Sequence, residues 1–294
     1  VLRADLVHRR LNRHGHRLEL DGELSHVRQN ATIDYRIPGK RPQNDWYSFY
    51  GGVNRQDTDA IESISWKMGV RENRFHTLSW SSTPFIELVV ERFLQDGDWN
   101  QNTSLVPGWG LNYVTANAPA RPTQGLRLRG EVAGAAKQVL SDASFLRFYF
   151  NGKTILPLSE RGRLLIRGEA GWMTTNDFDN VPPTWRFFAG GDRSVRGYDY
   201  QSLGPLDDEG KAIGGQKLLT GSIEGDWRFL EKWSGAVFVD AGNVGEESLL
   251  KDVPWSQGAG IRWYSPVGPI RLDLAFPQNG TSDFRVHVSM GPDL

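Results

Sequence analysis

Among the 294 residues, the run that stands apart from its surroundings is Gly190-Gly191-Asp192-Arg193-Ser194-Val195-Arg196-Gly197-Tyr198, where two arginines, an aspartate, a serine and a tyrosine sit among glycines. It opens a stretch, from Gly190 to about Gln216, that is rich in Gly, Asp and Ser and carries no strand or helix period. A structureless segment of that length is usually functional. Elsewhere the marks of catalysis are missing: no G-x-S-x-G elbow, no H-E-x-x-H, no Walker loop and no G-x-G-x-x-G after a strand. The six histidines are scattered, and only His14 and His16 stand at ligand-like spacing, in a surface turn. Asp96-Gly97-Asp98-Trp99-Asn100 opens like a calcium loop. Gln101 and Pro107 occupy the positions where such a loop needs Gly and a bidentate Glu, so it reads as a hairpin turn. Asp207-Asp208-Glu209-Gly210 reads as a solvated loop tip. Without cysteine there is no disulfide, thiolate metal site or cysteine nucleophile. No enzyme, cofactor, metal or nucleotide site is expected.

The elements around this loop announce themselves by period two. Leu18, Leu20, Gly22 and Leu24 alternate with Arg17, Glu19, Asp21 and Glu23. Leu164, Ile166, Gly168, Ala170 and Trp172 share one face, with Arg163, Arg167 and Glu169 on the other. The pattern returns at Ile270, Leu272, Leu274 and Phe276, and again at Phe284, Val286, Val288 and Met290. Turn signals such as Asp57-Thr58-Asp59 and Ser265-Pro266-Val267-Gly268-Pro269 separate the segments. About sixteen strands of about ten residues fit between them, with the boundaries between residues 68 and 120 the hardest to place. No internal domain boundary or long repeat is visible, and residues 1–294 read as one domain.

A formal charge of -1, from 34 Lys+Arg against 35 Asp+Glu, argues against a basic nucleic-acid face. The mean hydropathy of -0.48 suggests a soluble protein, and no apolar run is long enough for a transmembrane helix. Alternation cancels in such an average, however. The polar positions are heavy in Arg, Glu and Asp strand after strand, as expected of a wide barrel with a charged, water-filled interior and lipid outside. The 33 glycines and 11 tryptophans suit turns and interfacial girdles. A soluble all-β protein is the alternative.

Arg186-Phe187-Phe188-Ala189 followed by Gly190 to Tyr198 resembles the signature loop of outer-membrane assembly barrels of the BamA/TamA kind, most of all the TamA-like family. Val181-Pro182-Pro183, the run Ala236-Val237-Phe238-Val239-Asp240-Ala241-Gly242, the run from Ser265 to Asp273 and the terminal Gly291-Pro292-Asp293-Leu294 agree with it in order. The resemblance is specific from Gly162 to Leu294 and extends as strand rhythm to near Val1. It implies a bacterial outer-membrane location and an all-β, transmembrane sixteen-stranded antiparallel barrel, with its sixth extracellular loop folded into the lumen. In that family the arginine of V-R-G-[FY] bonds acidic residues on strands twelve and thirteen. Carried over, Arg196 is that arginine, Asp240 stands in the strand-thirteen motif and Glu224 is the strand-twelve candidate. Glu224 shares a face with Asp226 and Arg228, opposite Ile223, Trp227 and Phe229. An Arg fork suits carboxylates, Gly197 can take φ > 0, and Tyr198 offers a plug with a hydroxyl. Each charged residue could equally pair with other lumen charges. The POTRA modules that precede such barrels are not expected within residues 1–294, because strand alternation is discernible from Leu2.

Closure by first and last strands leaves one seam, with Leu2, Ala4 and Leu6 on one side and Val286, Val288 and Gly291 on the other. Gly291-Pro292 limits pairing there. The expected function is an insertase or translocase that assists nascent β-barrel and autotransporter clients through this seam, in contact with outer-membrane lipid. The resemblance implies a TamB-like periplasm-spanning partner. A two-partner-secretion exporter and a passive porin are the alternatives.

Overall fold

The computed structural model describes residues 2–58, 61–95, 97–118, 121–246, 249–265, 268–278 and 283–294. The turn assignments at Asp59, Asp96, Pro266 and Val267 lie outside the described residues. Fifteen strands form one antiparallel sheet in sequence order: β1 (Leu2–His8), β2 (Arg17–Leu24), β3 (Arg28–Pro38), β4 (Asp45–Asp57), β5 (Glu62–Phe75), β6 (Trp80–Gln95), β7 (Asp98–Ala116), β8 (Gly125–Ala135), β9 (Phe145–Pro157), β10 (Gly162–Thr175), β11 (Lys217–Leu230), β12 (Trp233–Gly245), β13 (Trp255–Ser265), β14 (Gly268–Pro277) and β15 (Arg285–Met290).

The alternation is what makes these strands. In β11, Ile223, Trp227 and Phe229 project from one face and are more than half exposed, while Ser222, Glu224 and Asp226 are buried on the other. Such two-faced strands are stable where one side meets lipid and the other meets polar partners. Trp80, Trp227, Trp233 and Trp263 project outward near the end of the sheet that carries the short β9–β10 and β11–β12 connections, as an interfacial row would. Trp233 and Trp263 stack there with centroids 6.2 Å apart.

Fifteen strands, among the described residues, is one fewer than expected. Residues 80–116 form two strands of 16 and 19 residues, longer than the ten-residue segments that the sequence suggested. The terminal strands are the shortest, 7 residues in β1 and 6 in β15, and no ladder joins them among the described residues.

Residues 176–216, between β10 and β11, pack on the polar face. They reach Gln56 on β4 through Gln201, Glu91 on β6 through Thr184, and Arg285 on β15 through Asp199. In a flat sheet β4 and β15 would be roughly 50 Å apart at the usual strand spacing. The sheet is therefore strongly curled, with its polar face concave. That face is not uniformly charged. Val89 (β6), Val106 (β7), Phe145 (β9) and Met173 (β10) join Val181, Trp185, Phe187 and Val195 of the connecting segment in a buried apolar cluster. The interior surface is thus charged along some strands and apolar along others: the segment supplies its own apolar surface, and strands facing it carry apolar residues inward to match.

Candidate functional site

The connecting segment carries a 3-10 turn, Pro183–Trp185, which follows the extended Pro182. Arg186 then staples the turn: its Nε donates to Val181 O (2.7 Å), and Nη2 donates to Asp179 O (2.9 Å) and Gln95 Oε1 (2.8 Å). Phe187 lies over Gly171, where an added Cβ would sit 2.5 Å from its ring. The Arg147 guanidinium covers that ring at 4.4 Å.

The glycines of the next stretch take backbone conformations that other residues avoid. Gly190, Gly191 and Gly197 have φ of 105°, 94° and 93°. The resulting turn is closed by Ser194 N–H donating to Gly191 O (3.1 Å) and Gly191 N–H donating to Val195 O (3.2 Å). Val195 faces the apolar cluster and Arg193 is exposed. Arg196 points the opposite way from Arg193 in burial, at 5% exposure.

All five N–H donors of the Arg196 side chain find oxygen. Nε and Nη2 take both oxygens of Asp240 at 2.7 and 2.9 Å; Nη1 reaches Glu224 at 2.8 Å and Asp273 at 3.1 Å; Nη2 also reaches Ser222 at 3.3 Å. The Arg196 backbone N–H donates to Asp240 as well, at 3.1 Å. The guanidinium lies 3.4 Å from the Phe238 ring centroid, so one face of it is capped by aromatic surface. Arg262 on β13 bonds Glu224 (3.0 Å) and Asp273, and Arg167 on β10 reaches Asp240 (3.3 Å). Three arginines thus meet three carboxylates, and the buried set is formally neutral.

Register explains the geometry. Ser222 of β11 stands opposite Asp240 of β12, and Gly260 of β13 stands opposite Asp273 of β14. Alternation therefore points Ser222, Glu224, Asp240, Arg262 and Asp273 to one concave face. Glu224 and Asp240 lie on the eleventh and twelfth strands of this sheet, one earlier than the count that the sequence suggested. Asp273, Arg262, Arg167 and Ser222 were not singled out as partners of Arg196. Each stands at a polar position of an alternating strand, but nothing local says which polar positions converge.

Gly197 N–H donates to His287 Nε2 (2.9 Å), and Tyr198 O–H donates to Trp255 O (3.2 Å). Asp192 bonds His287 Nδ1. The seam residues Leu2, Ala4, Leu6, Val286 and Val288 all lie on the outward face and are exposed. Gly291, with φ of 143°, ends β15 and turns the tail inward. There Asp293 is 2% exposed, bonding Arg163 at 2.8 Å and also Arg271. Between the segment and strands β3 to β6 a cavity of about 610 Å³ remains, lined by Asp34, Lys67, Arg71, Glu87 and other polar residues.

A two-faced antiparallel sheet with an apolar outer skin, curled round a buried Arg–carboxylate anchor, defines a membrane β-protein with a built-in internal segment. Residues 11–293 match the Omp85 superfamily domain, and the chain belongs to that family. It is a bacterial outer-membrane protein. It is 27% identical over 213 residues to the outer membrane protein assembly factor BamA of Neisseria meningitidis serogroup B, covering 58% of this chain and 26% of that protein. To BamA of Nitratidesulfovibrio vulgaris it is 27% identical over 194 residues, 64% of this chain and 24% of that one. The chain spans about a quarter of the length of these relatives. Among solved structures, BamA from Haemophilus ducreyi lacking POTRA domains 1–3 superposes with a TM-score of 0.83 at 18% identity, over 97% of this chain and 65% of that one. CdiB from Escherichia coli gives 0.64 at 12% identity, over 97% and 58%. At those identities the structures speak for the fold.

Proposed function

We propose that these residues form the membrane barrel of an outer-membrane assembly factor, in which the sheet closes as sixteen strands around the 176–216 segment. The observation that carries this reading is the Arg196 anchor. A buried guanidinium with every donor occupied holds the segment against β11 to β14, while β1 and β15 are short edges with one ladder each among the described residues. A firmly anchored wall beside a weakly paired seam is what sideways opening requires. Opened edges expose unpaired N–H and C=O groups, which are costly in lipid. A client β-strand can satisfy them by strand addition, and folding of the client supplies the free energy without nucleotide. The clients are nascent outer-membrane β-barrels, with autotransporters among them. The resemblance of the Gly190–Tyr198 motif and of the terminal Gly-Pro-Asp-Leu supports a TamA-like role, with a TamB-like protein as periplasmic partner.

The chain has no cysteine, so a pair introduced at Ala4 and Val288 gives a clean test. Oxidation should stop client assembly and reduction should restore it. Unaltered assembly in the locked barrel rules the seam out. Deleting residues 190–216 and recording single-channel conductance separates the readings further. A wide, steady pore that threads substrate after the deletion supports an exporter instead.

A further inference from the structure

β15 is the shortest strand of the sheet. Among the described residues its six positions pair with β14 alone, from Ile270↔Met290 to Ala275↔Arg285, and no second strand lies along its outer edge. Its inward residues are occupied nonetheless. His287, 9% exposed, accepts the Gly197 N–H at Nε2 and bonds the Asp192 carboxylate through Nδ1. The tautomer with the proton on Nδ1 satisfies both contacts at once. Two residues earlier, Arg285 forms a forked ion pair with Asp199. Asp192, Gly197 and Asp199 lie within four residues of Arg196. The turn that carries the buried anchor therefore also holds the edge strand.

The other edge differs. Arg3 of β1 pairs with Asp21 of the adjacent β2 at 2.9 Å, and its side chain is 60% exposed. Among the described residues, no hydrogen bond or ion pair runs from β1 to the 176–216 segment. The far end of β15 has a second hold. Arg271 donates to Gly291 O (3.1 Å), and Asp293 is buried between Arg163 and Arg271.

We propose that the Asp192–Asp199 turn is the latch of the last strand. While Arg196 is seated, the turn clamps the half of β15 that starts at Arg285. When the turn is displaced, those bonds are lost together and β15 opens from that end, pivoting on the tail at Gly291–Asp293. Seating of the turn and closure of β15 are thus one coupled equilibrium, and the coupling is reciprocal. As a regulatory device for the seam this rests on the assembly reading above, but its test needs no client.

The test is amide hydrogen exchange on the whole chain in phosphatidylcholine vesicles, read separately over 285–288, 289–293 and the β11 segment 218–227. In Asp199→Ala, exchange over 285–288 should rise about tenfold, the loss expected of one charge-assisted bond, with 218–227 unchanged. Arg196→Ala should raise 285–288 at least as much, although it changes no residue that touches β15. The charge-swapped pair Asp199→Arg with Arg285→Asp should return 285–288 toward the wild-type rate. Wild-type exchange over 285–288 in both Asp199→Ala and Arg196→Ala overturns the latch, as does failure of the swapped pair to restore protection. If the coupling is present yet a seam locked by disulfide still assembles clients, the assembly reading falls and the latch stands.

Discussion

Arg196 illustrates how much one side chain can hold when every donor is used. Three carboxylates surround it, and removing it leaves them buried without their central cation. Breaking such a set typically costs about 3–5 kcal/mol. Arg196→Ala should therefore free residues 190–216 to limited proteolysis while the strands still form, and client assembly should fall with it; wild-type assembly in this variant sinks the anchor's role. Arg196→Lys keeps the charge but loses the planar fork on Asp240, and should be intermediate. Gly197→Ala tests backbone rather than charge. Its φ is 93°, and a Cβ there would meet Pro277 and Ser256 at 3.3 Å, so denaturant unfolding should show a loss of more than about 1 kcal/mol. Asp293 carries a pH dependence. Burial raises its carboxyl pKa, but the charges of Arg163 and Arg271 outweigh that and hold it below the ordinary 3.8. A depressed carboxyl contributes in full above its unfolded value of about 3.9 and loses that contribution only as pH falls through the lowered folded value. Protection of residues 291–294, corrected for intrinsic exchange rates, should thus be flat from pH 7.5 to pH 5 and absent in Asp293→Asn throughout.

At the scale of elements, the inward faces of β6 and β10 are shaped by what packs on them. Phe93 and Val89 of β6 turn inward, and Gly171 of β10 leaves room for Phe187. Phe187→Ala should open a cavity at a cost of about 3–5 kcal/mol in the segment's hold. Gly171→Leu should displace the same ring from the opposite side. Both changes should speed proteolysis within 176–216 and leave the heat stability of the strands closer to wild type. These elements also mark where the sequence is hard to read. β11 and β14 keep strict alternation because one face meets lipid and the other meets charge. β6 puts Phe85, Val89 and Phe93 inward and Ile86, Leu88 and Val90 outward, so both faces are apolar and the period fades. The cause lies about ninety residues away, in the segment that covers it.

For the whole molecule, the contrast that matters is between a wall that is tied and an edge that is not. Strands β10 to β14 are cross-linked on the concave face by the Arg196 set and by Arg163 with Asp226 and Tyr264. Among the described residues β1 has only its hairpin with β2. Under the assembly reading, force or a competing strand should separate the sheet at β1 first. Cysteine pairs placed across β1/β15 should be the most readily trapped or released of any strand pair, and those across β11/β12 the least. Equal behaviour at the two sites argues for a static wall.

The sequence by itself determined the all-β alternation, the apolar side of strands such as β11 and β14 and the segment that interrupts them, because alternation and turn chemistry are local properties of the chain. It also marked Arg196, Glu224 and Asp240 through a resemblance to known motifs. Only the tertiary structure decided that Asp273, Arg262 and Arg167 share that site and that His287 and Arg285 tie the last strand to the same turn. Those partners lie from 29 to 91 residues from Arg196 in the chain, and register together with sheet curvature, not sequence spacing, sets which polar positions meet.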